Sequence, residues 1–264
     1  MAGPVITLIT DFGLTDPYVA EMKAVILDIN PDAKIIDISH QIEKFNIRMG
    51  AFVLAAAAPY FPKGTIHVAV VDPGVGTKRK PILIETDKAF FIGPDNGVLA
   101  LAAKSQSVNN IYEISNRKFM SSKVSHTFHG RDVFAPAAAF LSKGVKPSMF
   151  GQETRRLFAP NFAKLILKGN MFAGEVIHVD GFGNIVTNFT AKHLEALGLE
   201  RVIPIKLKDL KLKLKLCKAY AEVEAQKPLA IIGSHDFLEV SVNMGSAAET
   251  FKIKPGDPVK LYRF

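Results

Sequence analysis

At 264 residues, 48% of them hydrophobic and 22% charged, the chain can build one large domain or two ordinary ones, each with a proper core. A single cysteine, Cys217, excludes a disulfide framework within the chain and suggests a reducing compartment. The formal charge of +8 raises nucleic acid as a partner, but that role needs basic residues gathered on one face with aromatics to stack on bases.

The first apolar run, PVITLIT (4–10), follows no basic segment, so no signal peptide is expected. It reads as a strand and ends at TDFG, which places Asp11 at its carboxyl end. A helix follows, with Asp16 as expected N-cap and Pro17 at its first position. AKIIDIS (33–39) is a second strand, ending at His40. NIRMGAFVLAAAAPYF (46–61) is a second helix; its uncharged part is too short to span a bilayer and ends in proline. TIHVAVV (65–71) is a third strand, which delivers Asp72 to a Pro-Gly-Val-Gly turn followed by Lys78, Arg79 and Lys80. Near-continuous apolar strands alternating with helices predict an α/β domain with a mainly parallel sheet. KPILIET (80–86) and KAFFIG (88–93) read as a strand pair joined at Asp87-Lys88, GPDNG (93–97) as a turn into a helix, and RDVFAPAAAFLSKG (131–144) as the last long helix.

After a poorly periodic stretch, QETRRLFAPNF, the texture changes. Short alternating segments punctuated by glycine and proline dominate from Lys164 onward, as in a smaller all-β, barrel-like domain. The expected domains are 1–157 and 164–264, with the boundary near 155–163. Between Leu210 and Leu216 leucine and lysine alternate strictly, so this run reads as a half-buried edge strand with a solvated lysine face, and a phase slip at Asp209 marks a turn or bulge. No aromatic interrupts it, and no nucleic-acid binding is expected. Cys217 at its end reads as a small buried or edge residue, not a nucleophile.

In an open α/β sheet, ligands bind beyond the carboxyl ends of the strands. Asp11, His40, Asp72 and His129, the last just before the final long helix, all follow apolar runs toward that edge. Each alone has an ordinary reading as a turn former or loop histidine, and Asp132 in HGRD reads as a first-turn helix residue; the coincidence of the four is harder to dismiss. GVGTK lacks P-loop spacing, TDFG has no kinase lysine strand beside it, and GxSxG, HExxH and CxxC are absent from the sequence. No phosphate cradle is evident, which favours a ligand without phosphates.

ITLITDFG, VVDPGVGT, GPDNG, TFHGRD, DGFGN and GSHDFLEVSVNMGSA, in that order over almost the whole chain, resemble the S-adenosyl-L-methionine hydroxide adenosyltransferases, relatives of the fluorinases and chlorinases. The resemblance implies hydrolysis of S-adenosyl-L-methionine to adenosine and L-methionine by attack of activated water on ribose C5′. It implies no cofactor and no metal, since S-adenosyl-L-methionine is the substrate. It further implies a homotrimer with sites between subunits; the lack of a signal peptide and of a spanning run leads us to expect a cytoplasmic protein without membrane association. Carried onto this sequence, the water-activating trio is Asp72, Arg79 and His129. Asp11 matches the carboxylate that holds the ribose hydroxyls and His40 a substrate-site histidine. Asp180 and Asn184 match substrate contacts in the second domain, and Ser234, Glu239 and Val242 match contacts to adenine and the methionine end.

Chemistry agrees with this assignment. A carboxylate can accept from both hydroxyls of a vicinal diol, and a guanidinium cannot act as base but can lower the cost of hydroxide nearby. That leaves Asp72 or His129 to take the proton from water. Two alternatives stand beside the hydrolase: a halogenase of the same fold, whose relatives share only the TF of TFHGRD and lack a match to Arg79, and a sensor that binds adenosine or S-adenosyl-L-methionine without turnover.

Overall fold

The structure is a computed structural model that describes residues 4–263; Met1 to Gly3, which open the stretch read for a targeting signal, and Phe264 lie outside the described residues. The chain divides into two compact units between Ala159 and Pro160. Among the described residues, no helix is long and apolar enough to cross a membrane.

The first unit runs β1 (Val5–Thr10), α1 (Tyr18–Ile29), β2 (Lys34–Ser39), α2 (Ile47–Ala57), β3 (Ile66–Val70), β4 (Pro81–Thr86), β5 (Phe90–Pro94), α3 (Ala100–Ser105), β6 (Val108–Glu113) and α4 (Ala135–Ser142). Its six strands lie in the order β2-β1-β3-β5-β4-β6. β2, β1, β3 and β5 are parallel, whereas β4 is antiparallel to both its neighbours, so the sheet is mixed and not mainly parallel. The cause is the turn between β4 and β5. Thr86 Oγ1 accepts from Ala89 N, closing a connection far too short for the crossover that parallel neighbours need. Ile6, Leu8, Met22, Ile26, Val68 and Phe134 pack the core between the sheet, α1 and α4. Strand β2 is the edge strand and is largely exposed, despite its near-continuous apolar sequence.

Helix α1 starts one residue later than its sequence suggests. Pro17 is the N-cap, its carbonyl accepting from Glu21 N, and no side chain caps the helix. The predicted helix over 131–144 is in two parts, a π-helical turn Gly130–Phe134 leading into α4, and the chain leaves it at Gly144 with φ +88°. In GPDNG, Asn96 Nδ2 donates to Val71 O and Asp95 Oδ1 accepts from Phe158 N, so this turn ties the end of β3 and the segment leaving the unit to β5.

The second unit comprises β7 (Ile166–Lys168), β8 (Met171–Val179), β9 (Ile185–Thr190), α5 (Ala191–Ala196), β10 (Val202–Leu207), β11 (Leu210–Cys217), β12 (Pro228–Ile232), β13 (Phe237–Val242), α6 (Ala247–Phe251) and β14 (Pro258–Tyr262). The order β14-β10-β11-β12-β13-β9-β8 closes through β14–β8 into a seven-strand barrel, with β7 added beside β8. Phe189, Ile203, Ile205, Leu238, Val240 and Val259 fill it.

Closure corrects the edge-strand reading of the lysine run, since β11 lies between β10 and β12. Only Leu216 and Cys217 are in register with β12, however, and Lys211, Lys213 and Lys215 face solvent while Leu214 is buried. The slip at Asp209 is the Lys208-Asp209 turn of the β10–β11 hairpin, with Lys208 at φ +50°. Cys217 is buried against Leu229 and Ile231, and burial pushes its thiol upward, away from the thiolate a nucleophile needs.

Candidate active site

A cavity of about 400 Å³ opens at the carboxyl edge of the first unit's sheet, within the size range of small-molecule sites. Asp11, Val70, Asp72, Val75, Thr127 and His129 line it, together with an aromatic group described below. Three separate chain segments meet here because β1 and β3 are hydrogen-bonded neighbours and their following loops leave the sheet on the same side.

Asp72, Arg79 and His129 form one network. Arg79 Nε lies 2.9 Å from both carboxylate oxygens of Asp72, and its Nη2 also donates to Oδ2. The same Nη2 lies 2.9 Å from His129 Nδ1. Asp72 and Arg79 side chains are 5% and 9% exposed, so solvent screens the pair little. Arg79 itself is not on the cavity wall; it stands behind Asp72 and His129, which are. Burial, and then the adjacent guanidinium, hold the His129 imidazole below its ordinary range.

Glycine lets this turn reach the histidine loop. Gly76 has φ +74°, and a Cβ there would sit 2.3 Å from the carbonyl oxygen of His126. Only a residue without a side chain lets the two backbones touch.

Asp11 is buried and lines the cavity; its Oδ2 accepts from Phe45 N at 2.8 Å, and no described residue hydrogen-bonds its Oδ1. Phe45 is held in the left-handed region at φ +65°, an uncommon conformation for a bulky residue, and its side chain is 68% exposed on the cavity wall.

His40 is not brought to the cavity wall. Its Nδ1 lies 2.9 Å from Thr10 Oγ1, its Nε2 lies 3.0 Å from Asp37 Oδ1, and Asp37 Oδ2 accepts from Lys23 at 2.6 Å. Thr10 Oγ1 accepts from Phe12 N, and Gly13 N donates to His40 O at 2.8 Å. His40 therefore braces the loop that carries Asp11. The hydroxyl–imidazole–carboxylate order imitates a hydrolase triad, but Thr10 is fully buried and cannot meet a substrate.

Asp132 accepts from Ser125 N and from Arg131, which also reaches Glu21, so this acid organises the histidine loop. Its role agrees with the helix-turn reading.

Residues that the sequence reading passed over complete the wall. Phe12, Tyr18 and Phe128 pack edge-to-face with centroids 5.1–5.7 Å apart, and Lys44 stands next to Phe45. Phe12 and Phe128 sit inside TDFG and TFHGRD, beside Asp11 and His129, and that adjacency was the available signal. The left-handed Phe45 leaves no mark in the sequence.

In the barrel, Asp180 builds a tight turn. Its Oδ1 accepts from Phe182 N and Asn184 N, and its Oδ2 from Asn184 Nδ2 at 2.8 Å. Glu239, on β13, is 7% exposed, and burial followed by the charge of Asp180 pushes its carboxyl up to about 7. Tyr220 Oη lies 3.5 Å from its Oε2. Ser234 lies in the exposed turn between β12 and β13. Val242 is buried in the barrel core, so its side chain serves packing. Among the described residues, no cluster of His, Cys, Asp and Glu could hold a metal ion.

An α/β unit with a cavity backed by a buried carboxylate–guanidinium–imidazole network, followed by a β-barrel carrying a second polar cluster, suits a small-molecule enzyme. The family model described as SAM hydroxide adenosyltransferase N-terminal domain matches residues 6–151, and that of the C-terminal domain matches residues 174–260. The chain belongs to this family. It is 38% identical over 275 residues to a Methanocaldococcus jannaschii protein named (R)-S-adenosyl-L-methionine hydrolase, covering 97% of this chain and 95% of that one. It is also similar, at 38% identity and a TM-score of 0.85, to the crystal structure of an uncharacterised conserved protein from Thermotoga maritima, covering 98% of this chain and 100% of that one. A fluorinase of Actinopolyspora mzabensis is more distant, at 25% identity over 98% of this chain and 97% of that one.

Proposed function

We propose that the protein hydrolyses S-adenosyl-L-methionine to adenosine and L-methionine by attack of activated water on ribose C5′. The (R)-sulfonium epimer is the substrate expected from the names of its relatives. One observation carries the reading: a buried carboxylate–guanidinium–imidazole network backs a cavity that also displays Asp11. Asp11 takes the ribose diol, Asp72 and His129 hold the water, and Arg79 supports both from behind. Hydroxide meeting a sulfonium cancels charge in the transition state, so a site with little bulk water favours the step. Asp180, Asn184, Ser234 and Glu239 serve the rest of the substrate, and Glu239 beside Asp180 suits a cationic group. No cofactor enters this scheme.

The proposal includes a cytoplasmic homotrimer in which a neighbouring copy completes each site. Light scattering on an active sample should give three times the mass of one chain; a fully active monomer removes this part.

Turnover in oxygen-18 water tests the reaction itself. The label should enter the 5′-hydroxyl of adenosine, and methionine should leave unlabelled. Attack at the methyl carbon would give methanol and S-adenosylhomocysteine instead, and a sensor would give no product.

A further inference from the structure

The trio contains a constraint that decides which member takes the proton from water. Arg79 Nη2 and His129 Nδ1 are 2.9 Å apart, within hydrogen-bond range. A guanidinium has only donors, so the imidazole must be the acceptor, with its lone pair on Nδ1. The ring hydrogen of a neutral His129 then sits on Nε2. No hydrogen bond from a described residue reaches Nε2, and the side chain lies on the cavity wall.

We propose that Arg79 holds His129 as the Nε2–H tautomer, so that His129 donates a hydrogen bond to the attacking oxygen and Asp72 takes the proton. This deepens the hydrolase reading and rests on it for the identity of the nucleophile. The step balances. A lone pair of the water oxygen forms the bond to C5′, and the C5′–S bond breaks with its pair passing to sulfur, giving a neutral thioether. The water proton passes to the Asp72 carboxylate and from there to solvent, while His129 keeps its hydrogen throughout. Each carboxylate oxygen has two lone pairs, so the bonds from Arg79 leave room for this proton.

The surroundings favour a neutral ring. Burial and the cation of Arg79 oppose a charge on His129 more than Asp72 and Asp132 promote one, and His126 adds to the opposition. Arg79 is on this account a positioning residue, one that sets the tautomer of its neighbour. A histidine whose second nitrogen is fixed by a partner presents one defined face to its substrate.

Two measurements test the proposal. Nitrogen-15 NMR of histidine-labelled protein, assigned by loss of one ring in His129→Gln, should show His129 protonated at Nε2 and bare at Nδ1 at neutral pH. A ring protonated at Nδ1, or at both nitrogens, overturns the proposal whatever the activities are. In the kinetic arm, Gln places an amide N–H where Nε2–H stood but cannot act as a base. His129→Ala should lose about 10²-fold or more in kcat, as for removal of one fixed donor, and His129→Gln should recover at least about 10-fold of that loss. A Gln variant that falls as far as Ala overturns the donor role. If the wild-type protein releases no adenosine, the hydrolase reading fails and the tautomer still stands or falls by NMR.

Discussion

The two units treat their buried acids in opposite ways. In the α/β unit Asp72 lies against Arg79, so its charge is answered by a fixed cation. In the barrel Glu239 lies near Asp180 and Tyr220 with no cation paired to it among the described residues, and its carboxyl rises to about 7. Burial beside another acid raises a carboxyl's proton affinity, and Glu239 shows that effect. The first arrangement instead gives its carboxylate a fixed hydrogen-bonded partner. The second leaves an electrostatic deficit that a cationic ligand would fill, which is how a sulfonium or ammonium group could be distinguished from a neutral analogue.

Breaking the paired network should have the largest effect. Arg79→Ala should lower turnover by about 10²- to 10⁴-fold while adenosine still binds, because the proposed scheme assigns Arg79 to the nucleophile and not to the nucleoside. Asp11→Ala should instead weaken nucleoside binding. Steady-state kinetics and adenosine titration calorimetry separate the two; undiminished turnover in Arg79→Ala removes the mechanism.

Two titrations sharpen the contrast because their signs oppose. Glu239 moves from an ordinary 4.5 up to about 7, so the folded state holds a proton that the unfolded state releases. Its contribution is fully present below pH 4.5 and is lost as pH rises through about 7, by an amount on the order of 3 kcal/mol. His67, fully buried on β3 with Nδ1 at 2.8 Å from Thr7 Oγ1, is pushed by burial from 6.5 down to about 4. Its contribution is present above pH 6.5 and is lost as pH falls toward 4. Urea unfolding from pH 4 to 8 should therefore show the two partly cancelling in the wild type. Relative to wild type, Glu239→Gln should remove a component of stability that falls with pH across this window, and His67→Gln one that rises. Coincident curves for all three proteins would defeat the assignment.

The smallest effects belong to the barrel's outer face. Changing Lys211, Lys213 and Lys215 to Gln should alter stability by no more than about 0.5 kcal/mol. The wild type should show no salt-sensitive DNA binding; a steep salt-dependent affinity abolished by these changes would overturn the solvated-face reading. Cys217→Ser should keep full turnover, at a cost of roughly 1–3 kcal/mol for a hydroxyl placed against Leu229 and Ile231.

Legibility followed physical range. Strand-end acids and apolar runs are local patterns, so Asp11, Asp72 and the alternation of strands and helices could be read from neighbouring residues. The mixed sheet could not, although its cause was visible: the Asp87-Lys88 turn requires antiparallel strands, but whether β4 lies inside the sheet or at its edge depends on where β6 pairs. His40 shows the opposite limit. Its place after a strand pointed to the site, yet its Nδ1 lies against Thr10 and its Nε2 within 3.0 Å of Asp37, away from the cavity wall, a placement set by tertiary contact. Barrel closure through β14–β8 joins segments more than eighty residues apart, and no local pattern on β11 announces it.

The contact at Gly76 has a consequence for how function would be mapped by mutation. An alanine there meets the His126 carbonyl oxygen at 2.3 Å and must adopt φ +74°, so the loop bearing His129 has to move aside. In a survey of variants Gly76 would then group with the catalytic residues by its loss of turnover, although it has no side chain to offer a substrate. A position of this kind acts as a hinge pin between two stretches of chemistry fifty residues apart in the sequence, and selection on the reaction would act on it as strictly as on the acid itself.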